Sequence, residues 1–179
     1  ESDTGDGSMI TYASSVISEG GYRKPGIQVA ANIGTSERAV ARNEILPVFA
    51  LKLVPGSLAN VRVKTLSLLR TGRQDGLWQL FLFRDVDPAT VLTAPNFQVK
   101  STHTECDFEA SAVDTSTGTL LASGYDSGDS INAINIDGDE VSSVLANNIA
   151  GVSDMFVLVY TAIGGADDVL VSAAWREFF

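Results

Sequence analysis

Val61–Phe83 reads VRVKTLSLLRTGRQDGLWQLFLF, two apolar runs joined by a polar connection. In the second run Leu77, Phe81 and Phe83 alternate with Trp78, Leu80 and Leu82, and Gln79 is the sole polar member. A strand covered on both faces has this pattern. The run is far shorter than the ~20 apolar residues of a membrane span, and its aromatic content favours strand over helix. In the first run Val61 and Val63 share one face while Leu66 and Leu68 fall on the other, a phase shift that a β-bulge would correct. The connection TGRQDG at 71–76 carries two glycines, which tolerate hairpin backbone angles. The two runs are therefore expected to pair antiparallel and to form the folding core.

The composition bounds the rest. With 179 residues, 45% of them hydrophobic and 19% charged, the chain fits one ordered domain with a sizeable core and is not generally disordered. Its 22 acidic and 12 basic residues give a net charge of −10. That balance, with Lys and Arg scattered, excludes a binder of nucleic-acid backbones. A single cysteine, Cys106, forbids an intrachain disulfide, and with the single His103 it cannot build a structural zinc site. No apolar run is long enough for membrane insertion, and no secretory leader is visible. A start at Glu1 rather than Met is what processing or truncation leaves.

Working outward, residues 1–7 (ESDTGDG) form a small, acidic arm with nothing to anchor it, and 8–179 form the domain. Strands are expected at 9–17, 27–31, 36–43 and 48–53. Pro47 belongs at an edge, a strand start or a bulge because it cannot donate to a ladder. After the central pair, 84–93 reads as a loop with room for one helical turn from Pro88. Residues 105–113 alternate, with Cys106, Phe108, Ala110 and Ala112 opposite Glu105, Asp107, Glu109 and Ser111, so one face is expected in the core and the other in water. Strands follow at 119–125 and 130–136. Val141, Val144, Leu145, Asn148 and Ile149 then recur at helical spacing, with Asp139 as N-cap and Gly151 as stop, which predicts a helix near 140–150. MFVLVYTA at 155–162 is a second doubly buried strand, expected to form a terminal hairpin with 169–178. About ten strands with regular turn signals and one short helix predict an antiparallel, jelly-roll-like β-sandwich.

His103 and Cys106 lie an odd number of positions apart, which puts them on opposite faces of a strand, and Cys106 shares its face with Phe108; it reads as a buried structural thiol. Asp126, Asp129, Asn135, Asp137, Asp139 and Glu140 have the composition of a calcium loop but not its spacing, and turn chemistry with an N-cap accounts for them. Asp167-Asp168 reads as a hairpin tip. No glycine-rich phosphate motif is present, so no cofactor is expected. Paired carboxylates for a glycan hydrolase are available only by abundance. Trp78 and Trp175 could stack sugars, yet both sit in apolar strands and read as core. No catalytic residue and no metal site are assigned, and the chain is not expected to be an enzyme.

The closing strand DVLVSAAWRE at 168–177, after the buried run MFVLVYTA, resembles the ending of small tailed-bacteriophage virion structural proteins. The likeness extends to FALKL at 49–53, VKTLSLL at 63–69, WQLFLF at 78–83, ECDFEASA at 105–112 and TLLASGY at 119–125. The resemblance implies a sandwich assembled into a virion as a tail fibre or other appendage, a baseplate part or a capsid-surface component, with itself and other virion proteins as partners. Trp175, Arg176, Phe178 and Phe179 crowd three aromatics into the last five residues, a composition favoured at interface cores. They are the expected homo-oligomer contact, and the resemblance to fibre-like parts favours a trimer. The alternative is a carbohydrate-binding sandwich module that takes a host-surface glycan, with a glycan hydrolase third.

Overall fold

The computed structural model describes residues 26–127, 133–137, 144–148 and 150–178, with the backbone alone for 133–137. The acidic arm and the first expected strand lie outside these residues. Thirteen strands and one helical turn follow in chain order: β1 (Ile27–Asn32), β2 (Arg38–Val40), β3 (Ile45–Leu53), β4 (Asn60–Arg70), β5 (Gly76–Phe83), α1 (Pro88–Val91), β6 (Leu92–Thr93), β7 (Gln98–Val99), β8 (Thr104–Asp107), β9 (Ala112–Val113), β10 (Thr119–Asp126), β11 (Ala133–Asp137), β12 (Met155–Ala162) and β13 (Asp167–Phe178). They build a five-stranded sheet, ordered β1-β13-β4-β11 with β2 also on β13, and a six-stranded sheet, ordered β10-β5-β12-β3-β8-β7. The pairings within both sheets are antiparallel. Early strands β3 and β5 alternate with late strands β12 and β10 in the second sheet, an interleaving of Greek-key type. The fold is the expected all-β sandwich.

Why β5 and β12 are apolar on both faces is plain from their position. Leu80, Leu82, Phe156, Leu158 and Tyr160 point between the sheets, where they meet Val61, Val63, Leu66, Leu68 and Trp175. Phe81, Phe83, Met155, Val157 and Val159 point to the outer face of the six-stranded sheet, where Val91, Leu92 and Ala110 from the α1–β9 segment cover them. α1 is the single turn expected at Pro88, capped by the Asp87 side chain, which accepts from Ala89 N at 3.0 Å.

The bulge expected in β4 is present. Its register against β13 slips between Ala174, opposite Thr65, and Trp175, opposite Val63, leaving Lys64 as the extra residue. Val61, Val63, Leu66 and Leu68 are all buried as a result. Pro47 is likewise tolerated beside a bulge, since the β3–β12 register slips at Val48.

Four expectations fail. β4 and β5 are not a hairpin, because β4 lies in the five-stranded sheet and β5 in the other, and TGRQDG carries the chain from one to the other. β12 and β13 are separated in the same way, so the terminal hairpin is also a crossover. The alternating strand at 105–113 stops at Asp107, which is buried rather than solvated: Oδ1 accepts from Glu109 N (2.6 Å) and Ala110 N (3.2 Å) and turns the chain away from the ladder. The helix near 140–150 lies partly outside the described residues, and where the chain is described it is extended, with Leu145 bridged to Val61 and Asn147 to Ser153. Burying Leu145 against the β4 edge satisfies its backbone from a neighbouring strand instead of from its own helix.

Candidate functional site

Of the four residues expected at the oligomer contact, Trp175 lies inside the protein. Trp175 is 0% exposed, and its ring lies 6.4 Å from that of Phe49. Its Nε1 donates to Thr104 Oγ1 (3.1 Å) and Glu177 Oε1 (3.2 Å). Glu177 is buried too, and the same oxygen accepts from Ser101 Oγ and Thr104 Oγ1, each at 2.6 Å. Trp175 therefore has no surface to offer a partner, because period-2 alternation along β13 sends positions 169, 171, 173 and 175 inward. Arg176 and Phe178 are half-buried, Phe178 beside Asn60, Arg62 and Val144, and Phe179 lies outside the described residues.

A second buried polar cluster closes the end where both crossovers lie. Arg70, fully buried, donates to the carbonyl of Gln74 and to Ser127 O (3.0 Å) and pairs with Asp126 at 2.7 Å. Beside it Tyr160 OH donates to Asp167 Oδ2 (2.9 Å), while Asp167 Oδ1 accepts from Gly72 N and Asp168 N, both at 2.9 Å. Burial, then the hydrogen bond to Asp167, pushes the Tyr160 phenol above its ordinary range. Asp126 and Asp167 are thus internal ties, not solvent-facing loop residues. Sequence reasoning missed Arg70, Tyr160 and Glu177; a charge or phenol inside an apolar run is the available signal.

Other candidates resolve simply. Burial pushes the Cys106 thiol up to about 11, with Asp107 adding and Lys100 opposing, which is contrary to an activated thiolate. His103 Nδ1 lies 3.1 Å from Ser57 Oγ, and Val54 N donates to His103 O (2.9 Å), so this histidine ties two turns together. Of the acidic cluster, Asp129, Asp139 and Glu140 lie outside the described residues. Among the described residues no three acids, histidines or cysteines are grouped to hold a metal. Trp78 is half-buried and belongs to the inter-sheet core. Its indole lies against Gly124, where a Cβ would fall 2.8 Å from the ring, so it is no open sugar platform.

Two surface features remain. The first is the edge strand β10, which among the described residues pairs only with β5. Its register slips between Leu120, opposite Phe81, and Ala122, opposite Leu80. Phe81 faces outward and Leu80 inward, so the slip turns Leu120 onto the outer face with Ser123 and Tyr125, while Leu121 and Ala122 pack inward. Leu120 is 48% and Tyr125 80% exposed. The strand contains neither Lys nor Pro, and its one acid, Asp126, is committed to Arg70.

The second feature is a groove of about 290 Å³ at the opposite side of the six-stranded sheet, between the β1–β2 connection and the β7–β8 region. Two side chains fix its walls. Asp107 ties Asn96 N (2.7 Å, to Oδ2) to the 109–110 backbone through Oδ1. Arg38 donates to the carbonyls of Phe108 and of Ala110 (2.8 Å). Burial lowers the pKa of Arg38 against the opposing pull of Asp107, Glu109 and Glu44. Compared with known proteins, the chain matches no family model and no curated protein.

Proposed function

We propose that the protein is a structural component of a bacteriophage virion and acts by assembling with copies of itself and with other virion proteins. The reading joins the strand-by-strand resemblance of residues 45–179 to the β10 edge, which is the observation that carries it. Sheet edges that must stay single are normally blunted by charge, proline or cover. β10 sets Leu120 and Tyr125 on one face of an eight-residue edge that carries a bulge but, among the described residues, no lysine, proline or covering segment. Antiparallel pairing of β10 with its own copy, centred on Ser123, brings Tyr125 of one chain beside Leu120 of the other on the same face, a favourable cross-strand combination. Such pairing generates a two-fold contact. A trimer would need another surface, such as the Phe178 corner.

Light scattering across micromolar concentrations tests assembly on the parent and on the double variant Leu120→Lys/Tyr125→Lys. A parent dimer that becomes a monomer in the variant is expected. A parent that stays monomeric, or an oligomer indifferent to both lysines, refutes the β10 contact. Mass spectrometry of gradient-purified particles from the source of the chain tests the virion role, and absence of its peptides from the particles refutes it.

A further inference from the structure

The groove beside β7 is built more carefully than an incidental surface depression. Its polar side chains form a directed relay: Gln98 Nε2 donates to Asn96 Oδ1 (2.8 Å), and Asn96 Nδ2 donates to Glu109 Oε2 (2.6 Å). A carboxylate only accepts, so Asn96 must turn its amide nitrogen toward Glu109 and its oxygen toward Gln98. The relay fixes both amide orientations without help from solvent. Underneath it, Asp107 holds the backbone of Asn96 and of Glu109 from one buried carboxylate, so the two ends of the relay cannot drift apart. Recognition that starts from ordered groups loses little in ordering them.

What the relay leaves open decides the ligand. Gln98 Oε1 and Glu109 Oε1 remain as acceptors, and each amide nitrogen keeps a second proton to donate. These acceptors and donors share the groove with the Glu37 carboxylate and with the Phe108 ring, which packs on Phe49 with ring centroids 5.3 Å apart. Arg38 and Lys100 line the groove together with the carboxylates of Glu37 and Glu109, two charges of each sign, so no net charge favours an anion. A simple cation would waste the amide donors and lie near the Arg38 guanidinium. Adjacent hydroxyls each donate and accept, and a sugar ring adds an apolar face suited to an aromatic side chain, so a neutral saccharide matches all of these groups together.

We infer that this groove is a saccharide-binding site for a single sugar unit, read by Asn96, Gln98, Glu109 and Glu37. Its volume is near the ~300 Å³ lower limit of small-ligand pockets, and its reading groups are exposed, so affinity is of order 1 mM per site. Repetition in an assembly would multiply that weak binding. The inference is independent of the assembly reading, because β7 and β10 are opposite edges of one sheet.

The test is a titration of the isotopically labelled chain with methyl glycosides of glucose, galactose, mannose and N-acetylglucosamine, followed by amide spectra. Saturable shifts confined to 36–38, 96–100 and 106–110 are expected with at least one sugar. Asn96→Ala and Glu37→Ala, both at exposed side chains, should weaken them about 10-fold or more, the equivalent of one good hydrogen-bonded pair, at unchanged melting temperature. The inference falls if no sugar gives a saturable response or if both variants bind as the parent does.

Discussion

Replacing Glu177 separates a core acid from a surface one. Its Oε1 accepts from Ser101 Oγ, Thr104 Oγ1 and Trp175 Nε1 in a buried setting. Hydrogen bonds to a charged acceptor contribute about 1.5–3 kcal/mol each, so three sum to about 5–9 kcal/mol. The donors are not all orphaned by Glu177→Ala, since Trp175 Nε1 keeps Thr104 Oγ1 at 3.1 Å and Ser101 Oγ stays 3.0 Å from the same hydroxyl. Discounting for those survivors leaves an expected cost of about 3–5 kcal/mol, a large part of the ~5–15 kcal/mol that stabilises a typical domain. Glu177→Gln retains an uncharged acceptor of the same shape and should cost only about 1–2 kcal/mol. Urea titration with unchanged slope, which reports stability rather than denatured-state compactness, measures both. The reasoning is refuted if Glu177→Ala stays within about 0.5 kcal/mol of the parent, as ordinary surface substitutions do, or if Glu177→Gln is equally damaging.

Leu80→Ala and Phe81→Ala probe the two faces of β5 and should each cost about 2–5 kcal/mol; a loss in only one would show that one apolar layer is dispensable. Gly76→Ala should be strongly destabilising because its Cβ would lie 2.5 Å from Tyr160 Cζ and 2.6 Å from Cε2, and adding Tyr160→Phe should not restore stability, since the ring itself is the obstacle. Recovery in that double variant would mean that the hydroxyl alone is in the way. The Cys106 thiol loses its proton near 9.0 when unfolded but only at about 11 when folded. Unfolding therefore releases a proton in that window, and stability should fall as pH rises from 9 to 11, by at most about 2–3 kcal/mol. Cys106→Ala should lack this component when urea midpoints are compared across the range, and parallel pH profiles for the two proteins would contradict it.

The long strands β3, β4, β5, β10, β12 and β13 are legible in the sequence, and which of them pair is not. Two-sided apolar runs identify β5 and β12, and the phase slip at Lys64 is readable because four apolar residues need one common face. Alternation specifies a face, however, and not a neighbour: TGRQDG satisfies a hairpin and a sheet-to-sheet crossover equally well. The spacing of Val141, Val144, Leu145 and Asn148 suits a helix locally, but Leu145 gains more by joining the β4 edge. Buried Arg70, Asp167 and Glu177 look like surface charges because their partners, Asp126, Tyr160 and Ser101 with Thr104, come from other segments. The groove escapes notice for the same reason. Asn96 and Glu109 become a pair only once Asp107 folds the chain back between them.

The crossovers have a consequence for the order in which the molecule can form. Strands adjacent in the chain, β4 with β5 and β12 with β13, end in different sheets, so no short-range hairpin from either pair can serve as an early nucleus. β13 is hydrogen-bonded to β1, β2 and β4, and Ile27 lies opposite Glu177. During synthesis β1 and β2 thus emerge long before the strand that gives them a ladder, and the five-stranded sheet stays incomplete until β13 leaves the ribosome. Folding dominated by such distant pairings belongs to the slow, millisecond-to-second regime. In the interval the side of β4 that awaits β13 stands open along with the β10 edge, and both need protection from premature pairing.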